Sequence, residues 1–131
     1  MRSFFLAVSS VALLVAGVAH ADVIADRQAI MKDMGRSVGQ LAPMVKGEKP
    51  FDAAAALAAL EKIDADAQKF DVDTLFPTGS DQGETEASAK IWANKEDFVK
   101  HVEKCRADAA SAVAAKPADL DALKPVFQQV A

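Results

Sequence analysis

The fold class this sequence predicts is all-α: an antiparallel up-down four-helix bundle with a long loop between its second and third helices. Three observations carry it. Apolar residues recur at steps of three and four in four separate stretches. No stretch alternates apolar and polar residues as a half-buried strand does. The second and third stretches are held apart by about twenty residues crowded with turn formers, residues 70–89.

The chain opens on an address rather than on the bundle. Met1-Arg2 is a short positive start, residues 4–18 are an apolar run, and Ala19-His20-Ala21 is the small-x-small pattern read by signal peptidase. The expectation is a signal peptide over residues 1–21, cleaved after Ala21, and a single domain over residues 22–131. The apolar run is shorter than the roughly 20 residues of a membrane span. No second such run follows, so no membrane contact is expected after cleavage. With Arg2 removed, 14 basic residues face 19 acidic ones, a net charge of −5. That surface offers no basic footprint for nucleic acid. The single cysteine, Cys105, leaves no internal disulfide.

The first helix is expected over residues 23–45, with Ile24, Met31, Met34, Val38, Leu41 and Val45 at helical spacing. Pro43 and the Gly47-Glu48-Lys49-Pro50 run should end it. Gly35 and Gly39, one turn apart, suggest that something bulky or another backbone comes close. Asp52 is a plausible N-cap for the second helix, residues 53–69, with Phe51 as its staple. Its stripe is Ala53, Leu57, Leu60, Ile63 and Ala67, and Ala54, Ala55, Ala58 and Ala59 widen a smooth face around it. Residues 77–83, Pro-Thr-Gly-Ser-Asp-Gln-Gly, mark the long loop, whose Leu75 and Phe76 have no reason to be apolar unless they serve a site.

The third helix is expected over residues 94–115, with Phe98, Val102, Cys105, Ala109 and Ala112 as a heptad seam. Cys105 should then be a small buried hydrophobe, and His101, flanking the seam, a solvated side chain. The last helix is expected from Pro117 onward, with Leu120, Leu123, Phe127 and Val130 on one stripe. Nothing in these patterns supplies a triad, a paired-carboxylate site or metal-ligand spacing, so the chain is not expected to be an enzyme.

Five short motifs occur in order along the chain. Asp26-Arg27-Gln28-Ala29-Ile30-Met31 lies on the first helix. Val45-Lys46-Gly47 and Pro50-Phe51-Asp52-Ala53-Ala54 flank the first turn. The Gly-rich loop runs from Phe76 to Gly83, and Thr85-Glu86 with Ile91-Trp92 leads into the third helix. Asp119-Leu120-Asp121 and Phe127 lie on the last helix. In combination they resemble the cytochrome c prime family, the class II c-type cytochromes of the bacterial periplasm, over essentially all of residues 22–131.

The resemblance implies haem c as cofactor and one-electron transfer or binding of diatomic gases as function. It puts Arg27 and Gln28 at the haem edge facing propionate oxygens, with Thr85 and Glu86 near that edge. Met31 would lie over the open iron face, and Phe76 would close the pocket. It also implies a possible homodimer through the first two helices and an electron-transfer partner of unknown identity.

One departure stands out. The family attaches haem through a Cys-x-x-Cys-His motif just after the last-helix stripe, where the histidine is the only protein ligand to iron, and this sequence reaches Ala131 without it. Covalent attachment is therefore not possible in the chain as given, and the expectation is a cytochrome truncated at its C-terminus. The alternatives are a haem-free bundle acting as a binding or interaction module, and a bundle holding haem non-covalently with Met31 and His101 as ligands. Cys105 and His101 cannot replace the motif, because they lie on a different helix.

Overall fold

The structure is a computed structural model that describes residues 16–131, with side chains from His20 onward. Residues 1–15, most of the expected leader, lie outside the described residues. Six helices follow: α1 (Ala16–Val45), α2 (Ala53–Gln68), α3 (Val72–Leu75), α4 (Lys90–Ala93), α5 (Lys95–Ala115) and α6 (Leu120–Val130). The four long ones form a ring in which α1 packs on α2 and α6, and α5 packs on the same two. This is the antiparallel bundle the periodicity predicts, and no strand occurs among the described residues. The one-turn helix α3 interrupts residues 70–89, which the sequence reads as loop, and α4 follows that stretch at the Ile91-Trp92 entry to the third helix. α3 forms because Asp71 caps it, accepting from the Thr74 N–H at 2.7 Å.

Helix ends follow local chemistry, with three corrections. α1 begins at Ala16 rather than Val23, so it runs through the expected cleavage site after Ala21. Pro43 does not end α1 but lies inside it. The stop is Gly47, at φ 76°. Its N–H donates to Met44 O at 3.1 Å and the Glu48 N–H donates to Pro43 O at 2.8 Å, the paired bonds of a Schellman ending. α6 begins at Leu120, not at Pro117, because Asp119 caps it by accepting from the Ala122 N–H at 2.8 Å. Asp52 caps α2 as expected, accepting from the Ala55 N–H at 2.9 Å.

The apolar residues gather in two clusters. Leu41, Leu60, Ile63 and Leu123 centre the first, where all four long helices meet. Val72, Leu75, Phe76 and Val102 centre the second, with Phe70, Ile91, Trp92 and Phe98 packed against them. Of the expected α2 stripe, Leu60, Ile63 and Ala67 are buried, Leu57 is half-buried and Ala53 is exposed, while Ala56, Ala59 and the carboxylate of Asp66 join the buried face. On α5, Val102, Ala109 and Ala112 are buried, but Cys105 is exposed, against expectation. Its thiol borders a gap of about 220 Å³ also lined by Met34, Gln129 and Val130, so open space faces it where a packed side chain was predicted. His101 is solvated as expected, its Nδ1 2.8 Å from Asp97 O. Among the described residues no side chain lies within 4 Å of where a Cβ would stand on Gly35 or Gly39, so none of them makes the close approach those glycines suggested.

Candidate functional site

The second cluster borders a cavity of about 890 Å³ that opens to solvent. Arg27, Gln28 and Met31 reach it from α1, where Arg27 and Met31 are one turn apart and share a face. Phe76 contributes from the end of α3, Thr85 and Glu86 from the long loop, Ile91 from α4 and Phe98 from α5. All six residues singled out from the sequence, Arg27, Gln28, Met31, Phe76, Thr85 and Glu86, thus line one space. They are brought there from positions up to 59 residues apart (27 to 86). Among the described residues, Met31 is the large hydrophobic residue left exposed, at 57%.

Arg27 is the pivot. Its side chain is buried, yet no carboxylate pairs with it among the described residues. Instead Nη1 donates to Leu75 O at 3.1 Å and Ser80 Oγ at 3.0 Å, while Nη2 donates to Ser80 O at 2.7 Å and Thr85 Oγ1 at 2.8 Å. The guanidinium also lies 4.7 Å from the Phe76 ring centroid and 5.7 Å from that of Trp92. Burial pushes its pKa below the ordinary value, and it stays cationic. The resemblance placed this guanidinium at the haem edge, facing propionate oxygens. Its Nη donors are engaged by the end of α3 and by the long loop, and Nε is the donor with no acceptor among the described residues.

The loop is held at further points. Gln28 Nε2 donates to Glu84 O at 2.8 Å, and Thr85 Oγ1 also accepts from the Ala87 N–H at 3.1 Å. Trp92 Nε1 donates to both Phe76 O at 3.1 Å and Pro77 O at 3.0 Å. Gly83 sits at φ 112°, a conformation a side chain would strain, with Ile24 in contact range of where a Cβ would stand. Phe76 packs edge-on against Phe98 at 4.8 Å and tilted against Phe70 at 5.7 Å, so three aromatic rings build one wall.

Pattern reading did not assign Phe70, Phe98 or Ser80 to the site. The signal for the two aromatics was the density of aromatic residues on either side of a turn-rich stretch.

The lining suits a large flat apolar ring bearing acidic groups. Met31, Phe70, Phe76, Ile91 and Phe98 supply the walls, and Arg27 supplies a desolvated cation at the edge. The volume lies within the ~300–1,000 Å³ of small-molecule sites. The lining carries no thiol and no imidazole, so these residues can hold such a ring only non-covalently.

Residues 22–131 match the protein-family model described as Cytochrome C′. A cytochrome c-556 of Agrobacterium fabrum is 44% identical over 93 residues, which cover 71% of this chain and 62% of that one. The chain thus spans less than two thirds of that relative. The cytochrome c prime from Shewanella frigidimarina superposes with a TM-score of 0.77 at 34% identity, covering 85% of this chain and 86% of that one. A cytochrome c′ described by its ligand-controlled dimer dissociation shares the fold, with a TM-score of 0.75 at 24% identity over 88% of this chain and 89% of that one. Proteins of this family bind haem c. Motif order, bundle topology and sequence match agree over residues 22–131: the chain belongs to the cytochrome c′ family.

Proposed function

We propose that this bundle is the haem-holding part of a periplasmic c-type cytochrome that works in one-electron transfer or diatomic gas binding and is not an enzyme. The observation that carries the reading is Arg27, a buried cation without a carboxylate partner at the edge of an apolar cavity. A charge taken out of water is costly unless an opposite charge reaches it. Carboxylates on the rim of a bound ring would supply that charge, and the Nε–H is the donor left to meet one.

Haem, when bound, supplies a one-electron couple and an iron position open to a diatomic ligand. The chain's own residues do the rest. Phe70, Phe76 and Phe98 exclude water from one side, and Trp92 fixes the backbone of Phe76 and Pro77 behind them. Gln28 and Arg27 anchor the loop that carries Thr85 and Glu86, which fixes the polar rim. Met31 stands exposed at the opening, where its flexible thioether side chain can yield to an entering ligand.

Titrating the purified chain with haemin, followed by visible absorbance, tests this. Saturable one-to-one binding is expected, weakened at least tenfold in Arg27→Gln and unchanged in Leu123→Ala, whose side chain lies in the other cluster. Absence of binding, together with a sharp cooperative melt, would favour a haem-free interaction module instead.

The reading extends to assembly: we propose a homodimer through α1 and α2, for which sedimentation is the direct measurement.

A further inference from the structure

We propose that Arg106, which does not line the cavity, is a positioning residue that sets its Phe70 wall. The wall's purpose rests on the haem reading above; the positioning does not.

α2 ends at Gln68, and like any helix it leaves its last carbonyls without partners inside the helix. Arg106 reaches across from α5 to collect them. Its Nε donates to Ala67 O at 3.4 Å, and its Nη2 donates to Gln68 O at 3.3 Å and Phe70 O at 3.0 Å. Gln68 Nε2 donates back to Arg106 O at 3.4 Å, so the tie runs both ways. The Ala67 and Gln68 carbonyls carry the negative end of the α2 dipole, which favours a cation there. A planar guanidinium can serve three oxygens converging from one corner, whereas a lysine ammonium acts as a point charge.

The chain turns at this corner from α2 into α3, and the residue at the turn is Phe70. Its ring is the outer member of the Phe70–Phe76–Phe98 wall. Asp71 follows at once as the cap of α3, its carboxyl held below the usual range first by the Thr74 N–H and further by the charge of Arg106. Arg27 grips the other end of α3 through Leu75 O. The short helix is therefore slung between two guanidiniums on different helices, one inside the cavity lining and one outside it.

Hydrogen–deuterium exchange on Arg106→Lys tests this without any haem. The Leu75 and Phe76 amides, bonded to Asp71 O and Val72 O, should exchange at least tenfold faster, the ratio set by loss of about one charge-assisted hydrogen bond. The Leu41 and Leu123 amides should not change. Unchanged Leu75 and Phe76 amides, or a uniform rise everywhere, would overturn the inference. If Arg106→Lys does not fold, native-state exchange of the unaltered protein decides instead. The corner should open together with the α5 amides around Arg106, and opening at lower denaturant than α5 would overturn it. Haemin affinity of Arg106→Lys should fall about tenfold, while Leu123→Ala, equally free to destabilise the fold, should leave it intact. If the unaltered chain takes up no haemin, the haem reading fails, and the exchange result still decides the role of Arg106.

Discussion

Two buried charges behave in opposite ways. Arg27 meets only neutral oxygens, whereas Asp66, 1% exposed on α2, meets Lys62 Nζ at 2.7 Å and Lys69 Nζ at 2.9 Å. Burial by itself would raise the Asp66 pKa. The hydrogen bonds from the two lysines outweigh it and hold the carboxyl below its ordinary value. A depressed folded-state pKa means that the pair stabilises the fold above the unfolded aspartate value of about 3.9. That contribution is lost as pH falls through the lower folded value. Asp66→Asn should therefore cost about 1–2 kcal/mol at pH 6, less than a sealed pair because both lysines can turn to water. The gap to the unaltered protein should narrow by pH 3. Urea unfolding at the two pH values measures it, and a gap that does not narrow would rule out the carboxylate as its source.

At the scale of elements, the ending of α1 rests on backbone conformation more than on side chains. Pro43 sits inside the helix with its missing N–H near the C-terminal end, and the turn closes only where Gly47 adopts φ 76°. Among the described residues no side chain stands within 4 Å of a Cβ built there, so a substitution tests backbone strain. Gly47→Ala should cost about 1 kcal/mol, the penalty of the left-handed region for a residue with a Cβ. Gly47→Asn should cost less, since asparagine tolerates that conformation. Thermal melts separate the two, with about 4–8 °C expected for the alanine variant in a domain of this size. Equal melting points for all three proteins would mean that the turn rearranges.

For the whole molecule, the surface that bears on assembly is the outer face of α1 and α2. Ala54, Ala55 and Ala58 are exposed on α2, and Gly35 and Gly39 are exposed on α1 with none of the described residues packed on them. A second copy laid on such a smooth surface could bring helix backbones close. Under the proposed dimer, the double variant Ala55→Glu, Ala58→Glu buries two unpaired carboxylates at the contact, at roughly 2 kcal/mol or more each. Sedimentation should show a dimer for the unaltered protein and a monomer for the variant. An unaltered protein that already sediments as a monomer would remove the proposal.

Much of this protein is legible without coordinates. The helical period marks out four amphipathic segments, and Asp52 and Asp119 announce two starts because a side-chain oxygen caps whichever helix follows it. The motif order selects six residues that converge on one cavity. Periodicity reports which residues share a face, but not what lies opposite that face. Cys105 sits where the pattern misleads, its thiol facing a gap, and the periodicity is silent on Asp66, whose carboxylate is buried between two lysines. The long loop has no period at all, so its course depends on the groups that reach it from elsewhere. Arg27 finds Ser80 and Thr85 across 53 and 58 residues, and Arg106 finds the end of α2 across 36 to 39. Such bonds form only after the helices have packed, because local sequence carries no preference for partners that far away. The helices are therefore a property of the sequence, while the cavity and the two arginines that frame α3 were decided by tertiary structure.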